Sequence, residues 1–441
     1  MSRETFLGLQ CIRCGAPADP QQFHAGCPIC AARDEPANLT TVYDLDKARP
    51  AFEPKALADR PSNTWRYEAL LPFDASDAIT LEEGGTPLVA LPRLARELGI
   101  RKLWVKDESR NPTWSFKDRS AGMAATHARL LGSPALVVSS TGNAAAAVSA
   151  YARRAGMPGI VLFAQSVEPI MSAFVRAYGA NVVATPTKAD RWVLMRHCVE
   201  AWGCYPAGSY TSPPVGGNPY MIDGYKVIGF EIWEQLGRRR PDWIFGPTGY
   251  TNCLFGVHKA FQELAAMGFV EGGPRIAVAE AYGSLSKALA EGLETVPAST
   301  IKETTVAISM GTAQNAYQGL LTIRQSNGSA THVSNDEIMA AQKLLAETEG
   351  IFGETAAATG LAALIRRREE GLVESDAEVV LVHTSTGLKT LGVTAGIGRK
   401  DGQAAPPPVP LARDVQAFVD ILHQQYGLDL AQQKAPPEGA T

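Results

Sequence analysis

The chain lacks a strong charge excess, lacks long apolar runs and is sparing with cysteine, and each shortage removes a class of function. Lysine and arginine number 41 against 45 aspartates and glutamates, a formal net charge of −4 at pH 7. That balance provides no basic footprint for nucleic acid and no polybasic patch for an anionic membrane. No stretch of about 18 apolar residues runs without Ser, Asn, Gly or a charge, so no membrane span is expected. The opening Met1-Ser2-Arg3-Glu4-Thr5 has no apolar run suited to a secretory signal, and a cytoplasmic protein is expected. What is present is ordinary for a soluble globular protein: 45% hydrophobic and 20% charged residues. At 441 residues the chain exceeds what one core usually supports, so two or more packed units are expected.

Of seven cysteines, four cluster: Cys11, Cys14, Cys27 and Cys30. Two close pairs, with Gly15 and Gly26 beside the inner members, suit two knuckles meeting at one tetrahedral metal. Short disulfides or free thiols are the alternatives, and a reducing cytosol disfavours the former. The reading is a zinc ribbon, structural rather than catalytic because four thiolates close the coordination sphere. Cys198, Cys204 and Cys253 have no ligand spacing and read as buried, inert thiols.

Residues 1–35 read as the ribbon, and residues 36–90, rich in proline, as an arm leading into a larger unit. Then short β-rich runs alternate with helical stretches. Leu103-Trp104-Val105, Ala135-Leu136-Val137-Val138, Gly159-Ile160-Val161-Leu162-Phe163 and Asn181-Val182-Val183-Ala184 read as buried parallel strands. Trp243-Ile244-Phe245, Ile276-Ala277-Val278-Ala279 and Val379-Val380-Leu381-Val382-His383 continue the series. Ala-rich helices, such as 144–155 and 255–267, lie between them. This alternation predicts an α/β protein with parallel sheets. A Pro-rich linker over 396–410, one amphipathic helix over 414–426 and a disordered tail over 431–441 are expected to follow.

Four segments carry chemistry. Lys117, in Thr113-Trp114-Ser115-Phe116-Lys117-Asp118-Arg119, stands where a helix should begin. The helix terminus and nearby Arg119 place its amine in positive potential, which favours the neutral nucleophile needed for imine formation with an aldehyde; alone, it would read as a solvated surface lysine. Ser139-Ser140-Thr141-Gly142-Asn143-Ala144 follows a strand and opens a helix, a natural carboxylate site or an ordinary N-cap. Gly246-Pro247-Thr248-Gly249-Tyr250-Thr251-Asn252 also joins strand to helix and could cradle a phosphate, or be only a loop. His383-Thr384-Ser385-Thr386-Gly387-Leu388-Lys389 ends a strand, where a hydroxyl could face a ring nitrogen or simply make a turn.

These segments, in this order, resemble the pyridoxal-phosphate (PLP) enzymes of fold type II, and the threonine synthases most closely. Gly84 to Leu88 match the family's Gly-Gly-Thr-Pro-Leu, and Asn218-Pro219-Tyr220…Gly224-Tyr225-Lys226…Glu231 is similar to its Asn-Pro-Tyr-Arg…Gly-Gln-Lys region. The resemblance covers roughly 79–391. It implies two doubly wound α/β domains behind the ribbon: a large PLP domain over 91–125 and 227–400, and a smaller substrate-side domain over 126–226. It implies that Lys117 holds PLP as a Schiff base and shuttles protons. By the same resemblance Ser140, Thr141, Asn143 and Ala144 hold the substrate carboxylate, with Asn143 also on the cofactor. Gly246, Thr248, Gly249, Tyr250, Thr251 and Asn252 hold the PLP phosphate, and Thr386 or Ser385 the pyridine nitrogen. A homodimer acting on a small amino acid is implied too.

Three departures matter, two bearing on the substrate and the third on the partner of the ring nitrogen. The arginine expected to grip the phosphate of O-phosphohomoserine is Met221, which leaves Lys226 or Arg176 as stand-in cations. The small glycine before Ser-Phe-Lys is Trp114, a bulky ring expected to narrow the substrate pocket. The Thr-Gly-His-Gly-Leu-Lys form is shortened to Thr386-Gly387-Leu388-Lys389. The first reading is therefore threonine synthesis: elimination of phosphate from O-phosphohomoserine, then addition of water. The alternatives are β-elimination or β-replacement on a non-phosphorylated amino acid, as in a hydroxyamino-acid ammonia-lyase, and a non-catalytic paralogue.

Overall fold

The structure, a computed structural model, describes residues 4–394 except 22 and 165–168, together with 416, 420 and 424. The linker and tail expected over 396–410 and 431–441 lie outside the described residues. So does the 414–426 helix, apart from its three described positions, which are helical. The chain divides into two units, Met1–Thr390 and Leu391–Thr441. The second contributes one described helical turn, Leu391–Thr394.

The first unit begins with an antiparallel sheet of β1 (Phe6–Cys11), β2 (Pro17–Ala18) and β3 (Leu39–Tyr43), in the order β2-β1-β3. The ribbon therefore extends past residue 35. Cysteine spacing marks the four clustered residues, but not the strand Leu39–Tyr43 that completes the sheet.

Two larger sheets follow. The strands are β4 (Leu88–Ala90), β5 (Lys102–Asp107), β6 (Leu136–Ser139), β7 (Gly159–Ala164), β8 (Asn181–Thr185) and β9 (Tyr205–Pro206). They continue with β10 (Trp243–Pro247), β11 (Arg275–Glu280), β12 (Ser329–His332) and β13 (Glu378–His383). One sheet has six strands in the order β12-β11-β10-β13-β5-β4, the other four in the order β8-β7-β6-β9. Every pairing is parallel except that of the edge strand β4, which runs antiparallel to β5. Strand β13, Glu-Val-Val-Leu-Val-His, is buried at all six positions, as expected of a central strand covered on both faces by helices. The expected apolar runs are all strands, but β8, expected to be buried, is a sheet edge with Asn181, Val183 and Ala184 exposed. The short β4, β9 and the polar β12 (Ser-Ala-Thr-His) carry no such run and were not anticipated.

In sheets wound this way, ligands gather outside the carboxyl ends of the strands. Here the ends of β6, β10 and β13 feed the three segments singled out above. The fourth, at Lys117, opens a helix over Lys117–Leu130 that packs on the helix Pro219–Gln235. Gly224 permits this approach, since a Cβ there would stand 2.3 Å from the Arg119 carbonyl oxygen.

A buried ion network fixes the same contact. Arg119 bonds Glu108 through Nε to Oε2 at 2.6 Å and Glu231 through Nη1 to Oε1 at 2.7 Å. Lys106 reaches Glu231 at 2.6 Å, Thr86 donates to Glu108 at 2.6 Å and the Gly85 amide donates to Glu231 at 2.8 Å. Two cations and two carboxylates balance, and every group is held by several bonds, the condition under which buried ions persist. The Gly-Gly-Thr-Pro-Leu, Lys-Asp-Arg and Glu231 segments thus converge on one structural knot beneath Lys117.

Candidate active site

The loops at the strand ends enclose a cavity of about 360 Å³, large enough for a small cofactor and an amino acid. Lys117 lines it, half-buried. Its Nζ donates to Tyr225 Oη at 3.2 Å and sits 4.3 Å from the Phe116 ring centroid. Ser120 donates to the same phenol oxygen at 2.7 Å. Among the described residues no carboxylate pairs with Lys117, so its amine is free for a ligand. The Arg119 guanidinium, expected beside this amine, is instead engaged by Glu108 and Glu231.

Ser140, Thr141, Asn143 and Ala144 all line the cavity at the start of the helix Asn143–Arg154. Asn143 is locked in place. Its Nδ2 donates to both Glu354 oxygens at 3.0 and 2.9 Å, while its Oδ1 accepts from Lys389 Nζ at 2.7 Å and Ser385 Oγ at 3.2 Å. Burial raises the Glu354 carboxyl above the usual range, opposed by Lys389 and Asn143. Burial also pushes Lys389 down to about 8, against the pull of Glu354 and Asp118. Glu354 carried no sequence signal, lying 211 residues from Asn143 between a glycine and a threonine. Lys389 was visible only as the end of a motif.

Thr248, Gly249, Tyr250, Thr251 and Asn252 line the wall ahead of the helix Asn252–Ala266. Thr251 caps that helix in the left-handed region at φ 61°, a costly conformation for a threonine, and is held by Thr248 and Asn315 at 2.9 Å each. Gly246 stands back in β10, off the cavity wall, where a Cβ would meet Leu254 at 3.1 Å.

Ser385 and Thr386 also stand off the wall. Ser385 is fully buried and donates to the Trp114 carbonyl at 2.9 Å, and the Thr386 hydroxyl accepts from the Leu388 amide at 3.4 Å. Their neighbour Thr384 is on the wall, with a buried hydroxyl that has no hydrogen-bond partner. Ser139, also on the wall, has an unpartnered hydroxyl too.

Met221 lines the cavity as expected. Trp114 does not narrow it: the ring is 51% exposed and stacks on Phe174 with centroids 5.3 Å apart. Its φ of 59° explains why a glycine suits that position. Neither stand-in cation serves the cavity. Lys226 is buried between Asp223 at 3.3 Å and Glu263 at 3.0 Å, and exposed Arg176 bonds Ser172 at 3.4 Å. Cys253 reaches the wall, where burial raises its thiol to about 12, so it is inert at neutral pH.

The four clustered cysteines bring their sulfurs within 4.8 Å of one another, with Cys11–Cys30 at 3.6 Å and Cys14–Cys27 at 3.7 Å. A tetrahedron of Zn–S bonds of about 2.3 Å spaces its sulfurs by about 3.8 Å, and the observed spread accommodates one.

Residues 79–385 match the family described as pyridoxal-phosphate dependent enzyme. The threonine synthase of Methanosarcina acetivorans is 36% identical over 386 residues, covering 86% of this chain and 92% of that one. That of Methanocaldococcus jannaschii is 33% identical, covering 94% and 99%. Among solved structures, a fungal L-serine ammonia-lyase from Rhizomucor miehei superposes with a TM-score of 0.61 at 21% identity, covering 71% of this chain and 98% of that one. Maize serine racemase gives 0.59 at 21%, covering 68% and 88%; at these identities the likeness is one of fold. Family match, relatives and architecture agree: the chain belongs to the pyridoxal-phosphate dependent enzymes of fold type II, as a threonine synthase-like lyase.

Proposed function

We infer that the protein converts O-phosphohomoserine to threonine and phosphate, with Lys117 as the catalytic base and cofactor anchor. The observation that carries this reading is an amine without a carboxylate partner in a cavity that also holds unsatisfied hydroxyls and a helix-opening loop. PLP fits that donor set. Lys117 would hold its aldehyde carbon, the Thr248–Asn252 loop its phosphate, Asn143 its ring oxygen and the unpartnered Thr384 hydroxyl, rather than Ser385 or Thr386, its ring nitrogen. When bound, PLP supplies an electron-withdrawing ring that stabilises negative charge on substrate carbon.

The remaining work falls to the chain's own residues. Ser140, Thr141 and the Ala144 amide bind the substrate carboxylate at a helix start, where free N–H groups and the dipole favour an anion. Glu354 and Lys389 grip opposite ends of the Asn143 amide and so orient it. Lys117 Nζ moves protons between substrate carbons, with the Tyr225 hydroxyl as its hydrogen-bond partner. The protein works in this reading as a cytoplasmic homodimer, the large domain over 91–125 and 227–400 holding the cofactor and the segment 126–226 closing on the substrate.

With PLP-loaded protein, O-phosphohomoserine is expected to yield phosphate and threonine in equal amounts. Met221, uncharged where the resemblance calls for arginine, favours a second reading: β-elimination from serine or threonine. Ammonia and ketoacid from those substrates, without phosphate release from O-phosphohomoserine, would establish that reading instead. A protein that takes up no PLP would be the non-catalytic paralogue.

We also assign a structural zinc to Cys11, Cys14, Cys27 and Cys30. The purified protein should contain one zinc per chain, and Cys11→Ser/Cys14→Ser should contain none and melt at lower temperature, since such a site contributes directly to folding. Finding equal metal content in the two proteins would remove the assignment.

A further inference from the structure

Among the described residues three basic side chains line the cavity, and two already have tasks. Lys117 bonds Tyr225, and Lys389 bonds Asn143 opposite Glu354. The third, Arg191, was not singled out from sequence. It is 7% exposed, lines the cavity, and its Nε has no hydrogen-bond partner. Among the described residues no carboxylate pairs with it. The adjacent carboxylate, Asp190, accepts from the Thr187 amide at 3.0 Å and the Thr187 hydroxyl at 2.7 Å, and so caps the helix Lys188–Trp202.

Arg191 is therefore a buried cation beside the positive end of its own helix, where the dipole disfavours cations. Desolvation without a counter-ion disfavours it further. Burial indeed lowers its pKa below the ordinary arginine range, and the nearby Tyr250 phenol opposes that shift. Tyr250 in turn interacts with the Thr312 side chain, which lines the same cavity, as does Met221. Such a cation is repaid only by an anion that arrives with a ligand.

We propose that Arg191, with Tyr250 and Thr312, is the subsite for a negatively charged group on the substrate side chain, an oxyanion such as a phosphate ester, and supplies the charge that Met221 cannot. The guanidinium offers a planar fork of donors to the oxyanion and the Tyr250 phenol a further one, while the Thr312 hydroxyl, which donates to the Gln314 carbonyl at 3.1 Å, lines the same wall. The assignment rests on the reading of the cavity as a PLP amino-acid site, and it narrows the substrates to amino acids with a second anionic group. A phosphate could come from the cofactor or from the substrate. The structure favours the substrate, because the Thr248–Asn252 loop already provides a helix N-terminus for the cofactor's phosphate.

Calorimetric titration of inorganic phosphate into PLP-loaded wild type, Arg191→Gln and Arg191→Lys tests the subsite directly. Visible-absorbance titration of PLP into each apoprotein tests the cofactor source. Arg191→Gln should weaken phosphate binding by about 30-fold, the value of one charge-assisted contact. Arg191→Lys should recover part of that loss, and PLP affinity should stay at the wild-type value in both. KM for O-phosphohomoserine should rise in Arg191→Gln. Equal phosphate affinity in wild type and Arg191→Gln would overturn the proposal, as would a loss of PLP affinity matching the loss of phosphate affinity. Phosphate binding through Arg191 in an enzyme that releases none from O-phosphohomoserine would sustain the subsite and defeat only the assigned reaction.

Discussion

Lys117→Ala is expected to abolish the visible absorbance of lysine-bound PLP and to lower turnover by at least about 10³-fold, since it removes both the covalent anchor and the proton carrier. The fold should survive. Lys117 is half-buried, its side chain makes one hydrogen bond, to Tyr225, and it takes no part in the ion network two residues further on. Thermal unfolding of the variant should therefore stay near that of wild-type apoprotein. If absorbance and turnover persist in Lys117→Ala, the anchor is elsewhere, and buried Lys389 is the other lysine that lines the cavity among the described residues. The assignment would then fail at its base.

Arg119→Met is expected to be the most destabilising single change near the site. It leaves Glu108 and Glu231 buried and facing one another with Lys106 alone to offset them, the kind of broken pair that costs about 3–5 kcal/mol. In the intact protein, burial would raise the Glu231 carboxyl, but Arg119 and Lys106 overcome that and hold it at about 2. Its folded value thus lies below its ordinary value of 4.5. Its contribution is fully present above about pH 4.5 and is lost as pH falls toward 2. The 2.5-unit difference corresponds to something on the order of 3 kcal/mol. Denaturant unfolding at several pH values should show wild-type stability falling through that acid window. In Arg119→Met the fall should begin at higher pH, because Glu231 has lost its stronger partner. Identical stability and acid limbs in the two proteins would mean that the network contributes nothing.

What could be read from sequence follows from what burial does to residue choice. Central strands such as β13 must be apolar on both faces, so Val-Val-Leu-Val announces itself. β12 lies at a sheet edge and is built from Ser, Ala, Thr and His, which carry no such mark. The site divides in the same way. Lys117, the Ser140–Ala144 turn and the Thr248–Asn252 loop are short contiguous segments whose chemistry is visible locally. Glu354 and Arg191 are single charged residues that become functional only when the fold brings them to the cavity, so no local pattern marks them.

Two local inferences failed for physical reasons. Proximity in sequence placed the charge of Arg119 beside Lys117, but the helix turns the guanidinium into a carboxylate pair on its other side. Side-chain volume placed Trp114 in the pocket, but its left-handed backbone directs the ring outward onto Phe174. Thr384 takes the place of Ser385 or Thr386 as the proposed partner of the ring nitrogen, because the Ser385 hydroxyl is engaged with Trp114 and Asn143.

Lys117, rather than Lys389, is the lysine assigned to the cofactor among the described residues of the cavity. Borohydride reduction of the PLP-loaded protein, followed by proteolysis and mass spectrometry, tests it most directly. A phosphopyridoxyl group is expected on the peptide containing Lys117 and none on the peptide containing Lys389; a label on Lys389, or on no cavity lysine, would contradict the assignment.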